Sequence, residues 1–237
     1  MFMPIIQAGH LADPFITASN TANATSTATN NVHTFSAQAL GDADPSRIIA
    51  VAVSAGANGV NRSIFSVTVA GSALTKRVGA VADNSGVENF RAEIWSAALA
   101  SGTSGDVVVT MSGNIDTNRG VAISVHRLIG DCAAAPDANV PIDGDEDDDT
   151  TAAITLSVNT EKKGYVLAVG VAFDVPPASA TWVGATELTD SSTNNVIHSV
   201  AAHATTIDET PRTITVDFAD GGYTQAACSA SWFPARS

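Results

Sequence analysis

The sequence predicts an all-β protein made of two tandem six-stranded antiparallel β-sandwich units, jelly-roll or immunoglobulin-like, behind an extended N-terminal arm. Four observations predict it. Of 237 residues, 45% are hydrophobic and 15% charged, enough apolar material for a substantial core. The apolar set is Val, Ala and Ile interleaved with Thr, Ser, Asn and Gly, a mixture suited to pleated, half-buried surfaces. Apolar residues alternate with period two, as in Val107, Val109, Met111 and again in Ile214, Val216, Phe218, the pattern of strands with one buried face. Finally, six strand candidates recur in the same order in the two halves.

In chain order, residues 1–31 form the arm. Residues 17–31 contain only Thr, Ala, Ser and Asn, cannot build a core, and are expected to lie extended against another surface. Ahead of them Phe2, Met3, Ile5, Ile6 and Phe15 make an apolar patch. A tail of this kind is mobile unless tied down, so Phe2, Ile5, Ile6 and Phe15 are the expected assembly contacts. A neighbouring subunit is favoured over the chain's own sandwich as the surface they meet.

The first unit spans residues 32–131 and the second 152–237. Residues 47–54 (RIIAVAVS) and 165–172 (YVLAVGVA) are apolar on both faces, as central strands covered on two sides should be. Turns are expected at 41–45 and 55–61, where Gly, Asp, Asn and Pro gather. The matches between halves are Phe35 with Ile154, Val51 with Val169, and Val69, Leu74, Thr75 with Val183, Leu188, Thr189. They continue with Ala97 and Ala98 against Ala201 and Ala202, Val109 against Val216, and Ile123 against Cys228. All six are read as keeping the same inward-facing parity. Two separate sandwiches and one fused barrel both fit this pattern.

Between the units lies an acidic linker, 132–151. Asp143, Asp145, Asp147 and Asp149 alternate there, and a flexible loop of carboxylates could hold Ca2+. The glycine at 144 and the lack of a Glu at the twelfth position depart from the helix-loop-helix calcium pattern, and a solvated acidic loop is the simpler reading. No other cofactor is expected.

Charge and motif narrow the function. Twenty-four acidic against eleven basic side chains give a net charge of −13, which repels a phosphate backbone, so no nucleic acid partner is expected. No apolar run is long enough for a membrane helix, and residues 1–10 lack a basic start, the first Lys or Arg being Arg47; synthesis in the cytoplasm and no membrane partner are expected. Cys132 and Cys228 form no metal-type or redox-type pair. Among His10, His33, His126, His198 and His203 no zinc spacing occurs, and His198 and His203 should face opposite sides of one strand. No nucleophile elbow, phosphate loop or dinucleotide fingerprint is present, so no enzyme is expected. Trp95, Trp182 and Trp232 could stack on sugars but are more simply core residues.

The stretches HTFSAQALGDADPSRIIAVAVSAG (33–56), SVTVAGSALTKRV (66–78), EIWSAALASGTSGDVVVTMSG (93–113) and VAISVHRLIG (121–130) resemble a group of β-sandwich structural proteins encoded by tailed bacteriophages. The resemblance covers about a hundred residues, with the second unit a weaker echo; the arm and linker lie outside it. It implies a virion component without catalytic residues. The expectation is a homo-oligomeric capsid decoration or cement protein that meets the major capsid protein or other virion proteins through its arm. A tail- or fibre-associated adhesin binding host glycan is the alternative, and a bacterial surface sandwich a third.

Overall fold

The computed structural model describes residues 15–58, 61–84, 88–116, 119–130, 137–139, 153–173, 179–193, 196–218 and 225–233. All regular structure among them is β-strand. The first half contributes β1 (Ile16–Ser26), β2 (Val32–Ala39), β3 (Ile48–Asn58), β4 (Ile64–Val69), β5 (Ser72–Ala73), β6 (Thr75–Asn84), β7 (Glu88–Ala98), β8 (Ser104–Met111) and β9 (Val121–Gly130). A short β10 (Asp137–Asn139) precedes β11 (Ile154–Thr160), β12 (Tyr165–Phe173), β13 (Ala180–Val183), β14 (Thr186–Thr193), β15 (Val196–Ala204), β16 (Glu209–Phe218) and β17 (Gln225–Trp232).

These strands form four antiparallel sheets stacked in layers. The first outer sheet runs β2-β8-β4-β5 and the first inner sheet β1-β9-β3-β7-β6; the second inner sheet runs β10-β17-β12-β15-β14 and the second outer sheet β11-β16-β13. Strand for strand, the two inner sheets have the same order, and so do the outer ones apart from the two-residue β5. In each half the strands cross repeatedly between sheets; among the described strands the β4–β5, β6–β7 and β14–β15 hairpins stay within one. The inner sheets pack face to face in reversed order, β3 on β12, β1 against β14 and β6 against β10. This is the arrangement of an isologous interface formed within one chain.

Three cores result. Phe35, Val51, Val67, Val109 and Ile123 fill the first sandwich, and Leu156, Ala168, Trp182, Ile214 and Phe218 fill the second. Between the inner sheets Ala52, Ile94, Leu167, Val169, Cys228 and Trp232 form a seam. β3 and β12 are therefore paired on both edges and covered on both faces, as the doubly apolar runs at 47–54 and 165–172 require.

Four expectations change. The candidates around Val69–Thr75 and Val183–Thr189 each divide between two sheets, so, apart from the two-residue β5, the six candidates of each unit become seven strands, to which β1 adds an eighth in the first and the short β10 an eighth in the second. At the first site Ala70 and Gly71 adopt positive φ, making the two-residue turn of the β4–β5 hairpin, after which the chain passes to β6 in the inner sheet. Residues 55–58 continue β3 instead of turning, with Ala55 and Ala57 in the core. Gly56 is there for packing, since a Cβ would come within 2.9 Å of Phe90.

Parity is the third change. Val51 and Ile123 face the first sandwich core whereas Val169 and Cys228 face the seam. On strands buried on both faces the apolar pattern carries no parity information, so a one-residue slip is invisible. Phe35 also shifts, without a change of parity, because Val109 pairs with His33 while Val216 pairs with Ile154.

Last, residues 16–26 are β1, the edge strand of the chain's own inner sheet, antiparallel to β9 with a bulge between Asn20 and Ala22. An edge strand is held by main-chain hydrogen bonds, which its Thr, Ser and Asn side chains do not need to supply.

Candidate functional site

Two kinds of surface could carry function: the polar groups sealed in the seam and the outward faces of the outer sheets. In the seam, β9 presents Ser124 and His126 on its seam-facing side, and β12 begins with Tyr165. The His126 imidazole meets the Tyr165 hydroxyl through Nδ1 at 3.1 Å and Ser124 Oγ through Nε2 at 2.8 Å, while Asn20 Nδ2 donates to Ser124 Oγ at 2.7 Å. A second pair crosses the same seam, Ser54 Oγ of β3 with His198 Nδ1 of β15 at 2.6 Å. The Cys228 thiol also crosses it, donating to the Ala92 carbonyl at 3.2 Å.

Burial sets the chemistry of these groups, with the Glu93 charge adding to it at Cys228. It pushes His126 and His198 down to about 3, so both rings are neutral at physiological pH. It pushes the Tyr165 phenol and the Cys228 thiol up, so both keep their protons. His198 Nε2 is buried with no partner among the described residues, a cost of about 1–3 kcal/mol. Beside the Ser54–His198 pair the seam opens into a cavity whose walls include Ala52, Ala122, Ser191 and Val200.

A neutral ring of such low basicity is a poor general base. The Ser54–His198 pair is better described as a hydrogen bond that ties the two sheets together. Glu93 is likewise internal: burial raises its carboxyl, Lys76 beside it lowers it, and Trp95 Nε1 donates to it at 2.9 Å.

The outer faces differ in kind. On the second outer sheet Thr155, Thr215 and Val183 stand side by side across three strands, with Ser157 and Thr213 in the next row. On the first, Val32, Thr110 and Ser66 align, followed by Thr34, Val108 and Thr68. These rows carry no charged side chain, and the next row of each face brings one carboxylate, Asp217 on the second and Asp106 on the first. Val183 on the second face and Phe65, next to Ser66 on the first, are 65% and 73% exposed.

Of the residues singled out from sequence, Phe15 is exposed immediately before β1. Phe2, Ile5 and Ile6 lie outside the described residues, as do Asp143, Asp145, Asp147 and Asp149. Among the described residues no group of three or more His, Cys, Asp or Glu side chains could hold a metal ion. Trp95, Trp182 and Trp232 are all buried, which removes them as a sugar platform and makes them core residues; the Trp182 indole donates to Ser199 Oγ at 2.7 Å. His198 and His203 face opposite sides of β15, His198 in the seam and His203 toward Arg212 and Glu209.

Sequence reasoning passed over Ser54, Ser124 and Tyr165. The available signal was a polar side chain interrupting an apolar strand, as Ser54 does at the end of RIIAVAVS and His198 does in VIHSVAA. No protein-family model matches the chain, and no curated protein matches it either.

Proposed function

We propose that this chain is a non-enzymatic structural protein of a tailed-phage virion, an accessory that decorates or cements the capsid shell. One observation carries the reading. The four-layer stack turns its titratable seam groups inward and presents uncharged rows of Thr, Ser and Val, with Phe65 and Val183 exposed, at both of its outer ends. Uncharged, half-apolar rows of side chains are cheap to desolvate against another protein. Two faces carrying such rows on one rigid body let it bridge neighbouring subunits. The phage resemblance of residues 33–130 supplies the setting, and Phe15 with the residues ahead of it supplies a further contact. The glycan-binding alternative loses its aromatic support with the burial of the three tryptophans.

The test mixes purified protein with undecorated tailed-phage capsids and reads binding by co-sedimentation and negative-stain microscopy. Three versions are compared: the intact chain, a chain lacking residues 1–14 so that β1 stays whole, and the double variant Val183→Lys/Thr215→Lys. Intact protein should bind and the lysine variant should lose binding. Failure of the intact protein to bind would overturn the assignment, and full binding by the lysine variant would show that the outer face is not the contact.

A further inference from the structure

The seam is well filled along most of its length, by Phe90, Ile94, Leu167 and Trp232 among others. Where β1 and β9 approach β14 and β15 the side chains shrink to Ala52, Ser54, Ala122 and Ser191, and a cavity of about 160 Å³ remains. An apolar cavity of roughly 150 Å³ admits a single benzene-sized ring. Ala24, Ala52, Ala122, Ile123 and Val200 supply its apolar walls, and against them the body of a fitting molecule is apolar.

The lining also carries Asn23, Thr25, Thr189, Ser191 and His198; of its polar side chains only Ser54 and His198 are buried. Ser54 and His198 both line the cavity, and Ser54 Oγ makes a 2.6 Å hydrogen bond to His198 Nδ1. A serine hydroxyl has one proton and two acceptor sites, so whichever atom of the pair holds the proton, Ser54 Oγ keeps acceptor capacity. No Asp, Glu, Lys or Arg lines the cavity, and the net charge of −13 opposes an anion. A cation would find no counter-charge.

We propose that this cavity is a binding site for a neutral molecule the size of one ring and carrying a hydroxyl, with that hydroxyl donating to Ser54 Oγ. Its lining comes from β1, β3, β9, β14 and β15, so an occupied site joins both sandwiches and should raise their shared stability. The site stands apart from the outer faces and does not depend on the capsid reading.

Phenol is the probe and toluene its hydroxyl-free match, each titrated into the full chain by isothermal calorimetry and followed by thermal unfolding. Phenol should bind saturably and raise Tm. Ser54→Ala should weaken phenol roughly three- to tenfold, the range of one neutral hydrogen bond, while toluene binding stays unchanged. Ser191→Leu fills the cavity from the edge strand β14 and Ala122→Leu fills it from β9. Each filler should reduce phenol binding at least tenfold, and because Ser191 is only partly buried its variant should fold even if Ala122→Leu does not. No saturable phenol binding by the intact chain, or undiminished binding in the folded filler variants, overturns the site. Equal loss of phenol and toluene in Ser54→Ala overturns the role of the hydroxyl.

Discussion

The two sandwiches share a strand order but close the same end differently. In the first, eight residues separate Ala39 from Ile48 and five separate Ala98 from Ser104. Into these loops runs the Arg47 side chain, wholly buried. It donates through Nε to Leu99 O at 2.6 Å, through Nη1 to the carbonyls of Gly41 and Asp42 at 3.1 Å, and through Nη2 to Ser101 O at 2.6 Å. In the second, the matching connections are four residues each, and a hydroxyl suffices. Thr205 Oγ1 donates to Glu161 O and accepts from Gly164 N, the latter at 2.7 Å. Backbone bonds from Lys163 N to Thr205 O and from Thr205 N to Gly164 O complete the closure. Loop length sets how many carbonyls must be satisfied away from water. A long pair of loops takes the five-donor guanidinium fork, and a short pair takes a single Oγ.

What the two units have in common should give the largest measurable effect. Each inner sheet seals one neutral histidine, His126 in the first and His198 in the second, with folded values of about 3 against an ordinary 6.5. Between pH 3 and 6.5 the unfolded chain binds more protons than the folded one. Stability contributed by these rings is therefore fully present above pH 6.5 and lost as pH falls toward 3. The slope approaches about 1.4 kcal/mol per pH unit for each ring. The raised Glu93 carboxyl acts in the opposite sense above about pH 4.5 and subtracts from it. Urea denaturation at pH 4.5 and 6.5 should show the slope falling by a similar amount in His126→Gln and His198→Gln. A slope unchanged in either variant would mean that its ring is not sealed.

The difference between the units comes next. Arg47→Ala should cost about 4 kcal/mol in urea denaturation, because several buried carbonyls lose a charged donor together. Arg47→Lys should recover less than half of that, since an ammonium cannot reproduce the fork. Thr205→Val should cost about 2 kcal/mol. Equal losses at the two positions would break the link between loop length and the closing group. Smallest of all, Thr215→Lys on the second outer face should change stability by less than about 0.5 kcal/mol, separating that face's role in docking from any role in folding.

The fold class was legible because alternation and β-branched composition report strands directly: Val107, Val109 and Met111 face inward as their spacing demands. The recurring order of strand candidates was legible too, but its register was not. Val51 and Val169 look equivalent, yet one faces a sandwich core and the other the seam, because a strand covered on both sides is apolar at every position. The seam itself could not be read, since nothing local distinguishes Ala52 facing another sheet from Ala55 facing its own core. The Ser54–His198 and His126–Tyr165 pairs join residues 144 and 39 positions apart, a proximity that only the packing of the inner sheets creates. Strand β1 was hidden for a different reason: its side chains are polar and its attachment is through the main chain.

The central claim is that the seam makes the two sandwiches one body, with β3 and β12 back to back at its centre. Native-state hydrogen exchange on Ile49–Ala55 and Val166–Ala172 tests this most directly. Both segments are predicted to exchange only through global unfolding, with the same free energy and the same dependence on denaturant. If β12 exchanged at a distinctly lower free energy than β3, the sandwiches would be opening independently and the seam would not be the joint that holds the outer faces apart.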